Sequence, residues 1–399
     1  MTSPANPPTH RLNHLDALRG LAAMSVLLEH YNSTYNVPYS PWVIEHTPLH
    51  VFYDGSAAVS LFFVLSGLVL SIKYFRDTQS PRLAEFGYGG FLAGRVCRIW
   101  IPYVIILLLS AAAWHASAQH LPGGARTSPW FEKQHWQRRP TVPGVIKQAN
   151  LADLKNDFNL LPQAWTLAIE IVLSALVPAG IVLAGRSTVW LLLVAAAGCM
   201  LGGLSPFALH FAVGIAMAKH FRAIVAWLEP RPALRLVGGA VGLCLYTCKH
   251  LAQTVRLLHL GNTDWYVSGL GAAILLAVIS ASPALRTWLS RGITHHIGRT
   301  SYSLYLSHLL VIFCVTPRIV AVVQHSVHWL YAWSIGLAAT CVIAAVLAEA
   351  VYWSAEVPAI AFGRWLAGHG GNWSFRTGQL RAAPPVEMPS ATVSPTSAA

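Results

Sequence analysis

The chain has 399 residues, of which 55% are apolar and only 11% charged, with a mean hydropathy of +0.50. A soluble globular protein carries roughly 25% charged residues, so a water-facing surface for a body of this size cannot be assembled, and the protein must face lipid over much of its area. The formal net charge of +12 does not mark a nucleic-acid binder, because the basic residues sit in short segments between apolar runs and not in one dense patch.

The expected fold is all-α, a polytopic integral membrane helix bundle of about ten transmembrane helices in a lipid bilayer. In chain order the candidate spans are residues 15–31, 56–73, 99–118, 165–184, 188–204, 206–221, 234–250, 263–282, 301–322 and 329–352. Several are short or carry Gly, Ser or charge, which places them inside the bundle. Lys and Arg sort by side. Arg11, Lys73, Arg76, Arg95, Arg98, Arg186, Lys219 and Arg222 fall on one side with most of the others. The short loops opposite hold only Lys249, Arg256 and Arg318. By the positive-inside rule both the N and C termini are cytoplasmic.

Residues 1–14 then form a cytoplasmic N-terminal segment, 15–366 the membrane domain, and 367–399, rich in Pro, Ser, Thr and Ala, a disordered cytoplasmic tail. The polar, Pro-rich start shows no cleavage site, so the first span is expected to stay as an anchor. A long outer loop at about 119–163 breaks the charge pattern with Arg126, Lys133, Arg138, Arg139, Lys147 and Lys155. It is either a plain linker or, with Trp130 and Trp136 exposed beside those bases, a cover over an acceptor. No internal repeat and no matching pair of broken helices is apparent.

Ionisable groups inside a bilayer are costly, so each is a functional candidate. The first span holds Asp16, Arg19, Glu29 and His30. Arg19 and His30 are eleven residues apart, which brings them within about 20° on one helix face and roughly 16 Å apart along its axis. Asp16 is spaced to pair with Arg19. Glu29 reads most simply as a headgroup-level residue. Arg95 and Arg98 precede the third span at i, i+3, either as ordinary anchors or as a guanidinium fork for phosphates. Glu170, just past Trp165 in an otherwise apolar helix, needs a partner, for which Arg19 or His30 are plausible, or else it belongs to a structural ion pair. Ser301, Tyr305 and His308 share a face of the ninth span, with Tyr302 one position off, as a hydrogen-bond network or a substrate wall. The six cysteines form no CxxC pair, and the eighteen histidines show no ligand spacing, so neither a disulfide framework nor a metal site is expected.

Six segments, in order, resemble those of the acyltransferase family 3 membrane proteins, which O-acylate glycans. LDALRGLAAMSVLLEH carries the Arg–ten residues–His signature at Arg19 and His30. SLFFVLSGLVLS comes next, then GRVCRIWIPY with Arg95 and Arg98, and AWTLAIE with Trp165 and Glu170. IGRTSYSLYLSH holds Ser301, Tyr302, Tyr305 and His308, and SAEVPAIAFGRW closes with Glu356 and Pro358. Ala17 stands where the family usually has Gly, and the carboxylate often found after the Glu of the fourth segment is missing.

The resemblance implies a bacterial inner-membrane O-acyltransferase with acyl-CoA, most often acetyl-CoA, as donor substrate, no bound cofactor, and a carbohydrate hydroxyl as acceptor. On that reading His30, Arg19 and Glu170 are the catalytic residues: His30 the general base, Arg19 a stabiliser of negative charge, and Glu170 an orienting group. Arg95, Arg98, Trp165, Ser301, Tyr302, Tyr305 and His308 bind substrate. Direct transfer and an acyl-enzyme on His30 both stay open, as do monomer and homo-oligomer. A transporter is the competing reading, because polar stripes also line solute pathways.

Overall fold

A computed structural model describes residues 13–36, 47–75, 87–117, 126–201, 204–249 and 263–369. Residues 1–12 of the N-terminal segment assigned to 1–14, and residues 370–399 of the tail assigned to 367–399, lie outside the described residues. Those described form a helix bundle. Among them the sole strand-like feature is an isolated antiparallel bridge between Tyr35 and Thr127.

Each of the ten predicted segments falls on a helix or a bent pair of helices. We number them α1 (Asn13–Thr34), α2 (Gly55–Ser71), α3 (Tyr88–Ser117), α4 (Pro129–Gln134), α5 (Val142–Ala149), α6 (Trp165–Ala175), α7 (Val177–Arg186), α8 (Thr188–Leu201) and α9 (Phe207–Leu228). The chain continues through α10 (Pro232–Tyr246), α11 (Thr263–Ser280), α12 (Pro283–Leu289), α13 (Gly292–Arg299), α14 (Ser301–Cys314), α15 (Thr316–Val323), α16 (Trp329–Val351) and α17 (Val357–His369). By length and composition five helices can cross a membrane, or seven if each bent pair is one span, while α8 and α10 are shorter apolar helices. The 22-residue α1 is not among the five; it carries Asp16, Arg19 and Glu29.

Three boundaries differ from the sequence reading. The third span begins earlier, so Arg95 and Arg98 lie within α3 and not ahead of it. The fourth and ninth spans are broken: α6 and α7 meet at 54°, and α14 and α15 at 43°. The sequence reading has each of these as one continuous span. Pro178 and Pro317 explain both breaks, since proline lacks the N–H that would continue the ladder and starts a new helix well. Finally, the last span does not stop near residue 352. It passes through a π-helical turn, Tyr352–Glu356, into α17, which packs along α3. A π turn inserts one residue into the ladder and rotates the helix beyond it, a shift no hydropathy pattern encodes.

Small residues set the close contacts. A Cβ on Gly67 of α2 would lie 2.1 Å from the carbonyl oxygen of Phe211 in α9, and one on Gly214 would lie 2.2 Å from that of Val64. Backbone therefore meets backbone, as membrane helices do at small-residue interfaces. Gly20 of α1 and Gly298 of α13 make a second such contact, each with a built Cβ 2.6 Å from the opposite backbone. This presses α1 into the centre of the bundle, between α13, α2 and α14.

The 126–163 segment is folded and not a plain linker. Asn36 and Ser128 donate backbone hydrogen bonds to Arg126 and Thr34, respectively, which ties the segment to the end of α1. Ser128 caps α4 through Phe131 N, and Pro129 occupies its first turn. The expectation of exposed aromatics is corrected. Trp136 is buried, holds a positive φ of 36° and donates its indole N–H to Leu160 O at 3.1 Å, and Trp130 is half-buried. The six basic side chains of the segment do point to its exposed surface.

Candidate functional site

Two cavities lie along the bundle, and α1 contributes to both. The first takes Arg19 from α1, Phe62 and Ser66 from α2, Arg95 and Arg98 from α3, Glu170 from α6, and Ser301 and Tyr302 from the start of α14. The second lies toward the other end of α1. It takes Glu29 and His30 from α1, Trp130 from α4, Gln163 and Trp165 around the start of α6, Lys249, and Trp265 from α11. Val59 and Tyr305 line both. Arg19 and His30 thus share a helix face, as their spacing predicts, and each opens into its own chamber.

The first chamber is rich in cations held by carboxylates. Arg95 Nη2 sits 2.5 Å from Glu170 Oε1, Arg98 Nη2 3.2 Å from Glu356 Oε1, and Arg19 Nη1 3.6 Å from Asp16 Oδ1. The partner of Glu170 is therefore Arg95, not Arg19 or His30. Arg95 and Arg98 line one cavity but do not form one fork, because each is drawn to its own carboxylate. Ser66 adds a hydrogen bond to Glu170 at 3.3 Å. Glu356 is 1% exposed and also receives Ser303 Oγ at 2.9 Å, so its position is over-determined. The Nε of Arg95 is buried with no hydrogen-bond partner among the described residues. An unmet guanidinium donor in an Arg-lined chamber suits an anionic guest such as phosphate. Tyr302 donates its hydroxyl to Ile99 O at 2.6 Å, which fastens α14 to α3 beside the two arginines.

In the second chamber His30 is held on two sides. Its Nδ1 is 2.8 Å from His308 Nε2, and the two rings are nearly coplanar at 14°, as an in-plane hydrogen bond requires. The Trp130 indole stacks on His30 with centroids 5.2 Å apart and 27° between planes. His308 lines neither cavity. It is fully buried, and its Nδ1 lies 2.7 Å from Tyr305 O. A carbonyl oxygen only accepts, so His308 Nδ1 carries the proton and Nε2 offers a lone pair. His30 then donates from Nδ1, which leaves its Nε2 as the unprotonated nitrogen. The nearest carboxyl to that nitrogen is Glu29, at 3.5 Å. Glu29 lines this cavity.

Of the residues singled out from the sequence, the structure gathers Arg19, Arg95, Arg98, Glu170, Ser301, Tyr302 and Tyr305 in the first chamber and His30, Trp165 and Tyr305 in the second, with His308 behind His30. Glu356, Ser66 and Trp130 were not singled out as site residues. For Glu356 the signal was present, a lone carboxylate within a closing motif. Ser66 lies in the SLFFVLSG segment and Trp130 in the loop read as a possible acceptor cover, but nothing in the sequence set either apart as a residue of a chamber.

The chain matches the Acyltransferase domain family over residues 12–349. It is also similar to the O-acetyltransferase PaAT-1 of Phomopsis amygdali, at 27% identity over 140 residues, which cover 32% of this chain and 28% of that protein. The chain thus aligns with little more than a quarter of that relative's length. No solved structure matches it.

Proposed function

The chain belongs to acyltransferase family 3, and from that premise we propose that it is a multi-pass membrane enzyme that moves a short acyl group, acetyl from acetyl-CoA, onto a hydroxyl of a carbohydrate acceptor. One observation carries the reading: Arg19 and His30 lie on one face of α1 and open into two chambers that meet at Tyr305. We propose ten spans with both termini cytoplasmic, in the plasma membrane of a bacterium, which puts the arginine chamber on the cytosolic side where CoA is found.

Donor phosphates take up the guanidinium groups of Arg95, Arg98 and Arg19, and the thioester points toward Tyr305. Acceptor sugar rings rest against Trp165 and Trp130, because an indole face suits the C–H side of a pyranose. His30 Nε2 removes the hydroxyl proton as the oxygen attacks the thioester carbonyl. His308 holds the tautomer that makes this possible. The C–S bond then breaks, and the proton returns from His30 to the departing sulfur. Base catalysis of this kind is typically worth about 10²–10⁴-fold. Glu170 serves by holding Arg95, not by orienting the imidazole.

Transport is the second reading, because bent helices often frame solute sites. Neither bend, at Leu176 or Val315, contributes to either chamber, which favours group transfer. The deciding experiment gives the purified protein radiolabelled acetyl-CoA and a panel of oligosaccharides. Label should pass to glycan, and His30→Ala should reduce transfer by about 10²-fold or more. Near-normal transfer by His30→Ala ends the base assignment; solute flux without any use of acetyl-CoA ends the enzyme reading.

A further inference from the structure

Tyr305 stands between the two chambers. Its side chain is only 6% exposed although it borders both, and Val59 faces the same junction from α2. The ring is clamped. Its hydroxyl donates to Thr166 Oγ1 at 2.7 Å and lies 3.3 Å from Gln163 O, and Phe62 meets it edge-on at 5.6 Å. Thr166 in turn donates to Gln163 O at 3.0 Å, and the Gln163 side chain reaches Leu306 O at 2.8 Å. These bonds join the start of α6 to α14 across the junction, so the partition is built from both sides.

From this geometry we infer that Tyr305 is the residue that makes the site a transferase and not a thioesterase. The inference rests on the proposed use of acyl-CoA. The acceptor chamber holds the base, His30, and is the one that must admit a hydrated sugar. Water there is the competing nucleophile. With an open junction, His30 would activate water as readily as a sugar hydroxyl. The water oxygen would bond to the acyl carbon, the C–S bond would break, and the electron pair would leave with sulfur. Free carboxylate and CoA thiol would result, with one proton released. The clamped ring keeps the thioester carbonyl on the arginine side until an acceptor displaces it. Discrimination against water is thereby placed in a steric element, because water and a hydroxyl differ too little in chemistry for the base to choose.

The test uses the full chain in proteoliposomes and two independent readouts. With acetyl-CoA alone and no acceptor, thiol release should be slow in the parent, about tenfold faster or more in Tyr305→Ala, and intermediate in Tyr305→Phe, which keeps the ring and loses its hydroxyl clamp. The second readout places a cysteine at Ser66 in the arginine chamber and adds a membrane-impermeant thiol reagent to either side, with the labelled position read by peptide mass. Ser66→Cys alone should label from one side only. Combined with Tyr305→Ala it should label from both. Val59→Ala thins the same partition from the opposite wall and should open it to a lesser degree, so the question stays answerable if Tyr305→Ala does not fold. Labelling from both sides with Tyr305 intact overturns the inference, and so does one-sided labelling in every variant or unchanged thiol release in a folded Tyr305→Ala protein. A protein that never consumes acetyl-CoA but shows the labelling pattern retains the partition and loses the proposed reaction instead.

Discussion

His30 Nδ1 lies 2.8 Å from His308 Nε2, although the two residues are 278 positions apart in sequence. Because His308 Nδ1 is committed to the carbonyl of Tyr305, this bond determines which nitrogen of His30 is free. His308 is a positioning residue: it reaches the reaction only through His30. His308→Ala should therefore lower kcat by about 10²-fold, the low end of what a base contributes, with little change in donor KM. His308→Gln, whose side-chain oxygen can accept from His30 Nδ1, should recover part of the loss. Steady-state kinetics on the two variants decide the point; equal activity of Ala, Gln and parent would mean that His308 is only a packing residue.

Arg98 and Glu356 make a different prediction. Glu356 is buried and holds Arg98, which is 41% exposed on its side chain and faces the arginine chamber proposed to take the donor. Glu356→Gln keeps the shape and removes the charge, so the guanidinium loses its tether. Donor KM should rise by about tenfold, equivalent to roughly 1.4 kcal/mol of binding, while kcat changes less. A kcat loss with unchanged KM would place Glu356 in the chemistry itself.

Gly67 tests the fold. Its missing side chain lets α2 approach α9 until a Cβ would sit 2.1 Å from Phe211 O. Backbone cannot move aside as a side-chain tip can. Gly67→Ala should cost about 1–3 kcal/mol through overpacking and lower the Tm of the detergent-solubilised protein. Gly94, which has nothing within 4 Å of a built Cβ, is the matched control, and Gly94→Ala should leave Tm nearly unchanged.

His135, in the folded 126–163 segment, sets an acid limit on stability. Burial, and then the nearby Arg318 guanidinium, push its imidazole down from 6.5 to about 4. Between those values the unfolded chain binds a proton that the native protein does not. The stabilisation is therefore complete above pH 6.5 and is lost as pH falls toward 4. His135→Phe should flatten that part of a Tm-against-pH curve. If the parent and the variant lose Tm in parallel over this window, the histidine is not responsible.

Legibility differed by residue. Arg19 and His30 were readable as one face because helical geometry relates residues within a single element. Arg95 and Arg98 were readable as an i, i+3 pair, either anchors or a phosphate fork, but not their separate partners, since the choice among several carboxylates depends on which helices become neighbours. Glu356 illustrates the same point twice over: its motif was visible, yet the π turn that aims it at Arg98 has no hydropathy signature. Trp130 was placed in a covering loop, but only the Tyr35–Thr127 bridge and the Ser128 cap bring its indole onto His30.

From the chain alone came the features that local physics controls: apolar runs of bilayer length become helices because no other structure satisfies every backbone group in lipid, and an eleven-residue spacing aligns an arginine with a histidine. Tertiary structure alone decided which charge met which, and that the shared stripe opens into two chambers that have Tyr305 in common. Those outcomes arise from contacts between elements far apart in sequence, where close approach at Gly20, Gly67, Gly214 and Gly298 selects the neighbours and the neighbours select the partners.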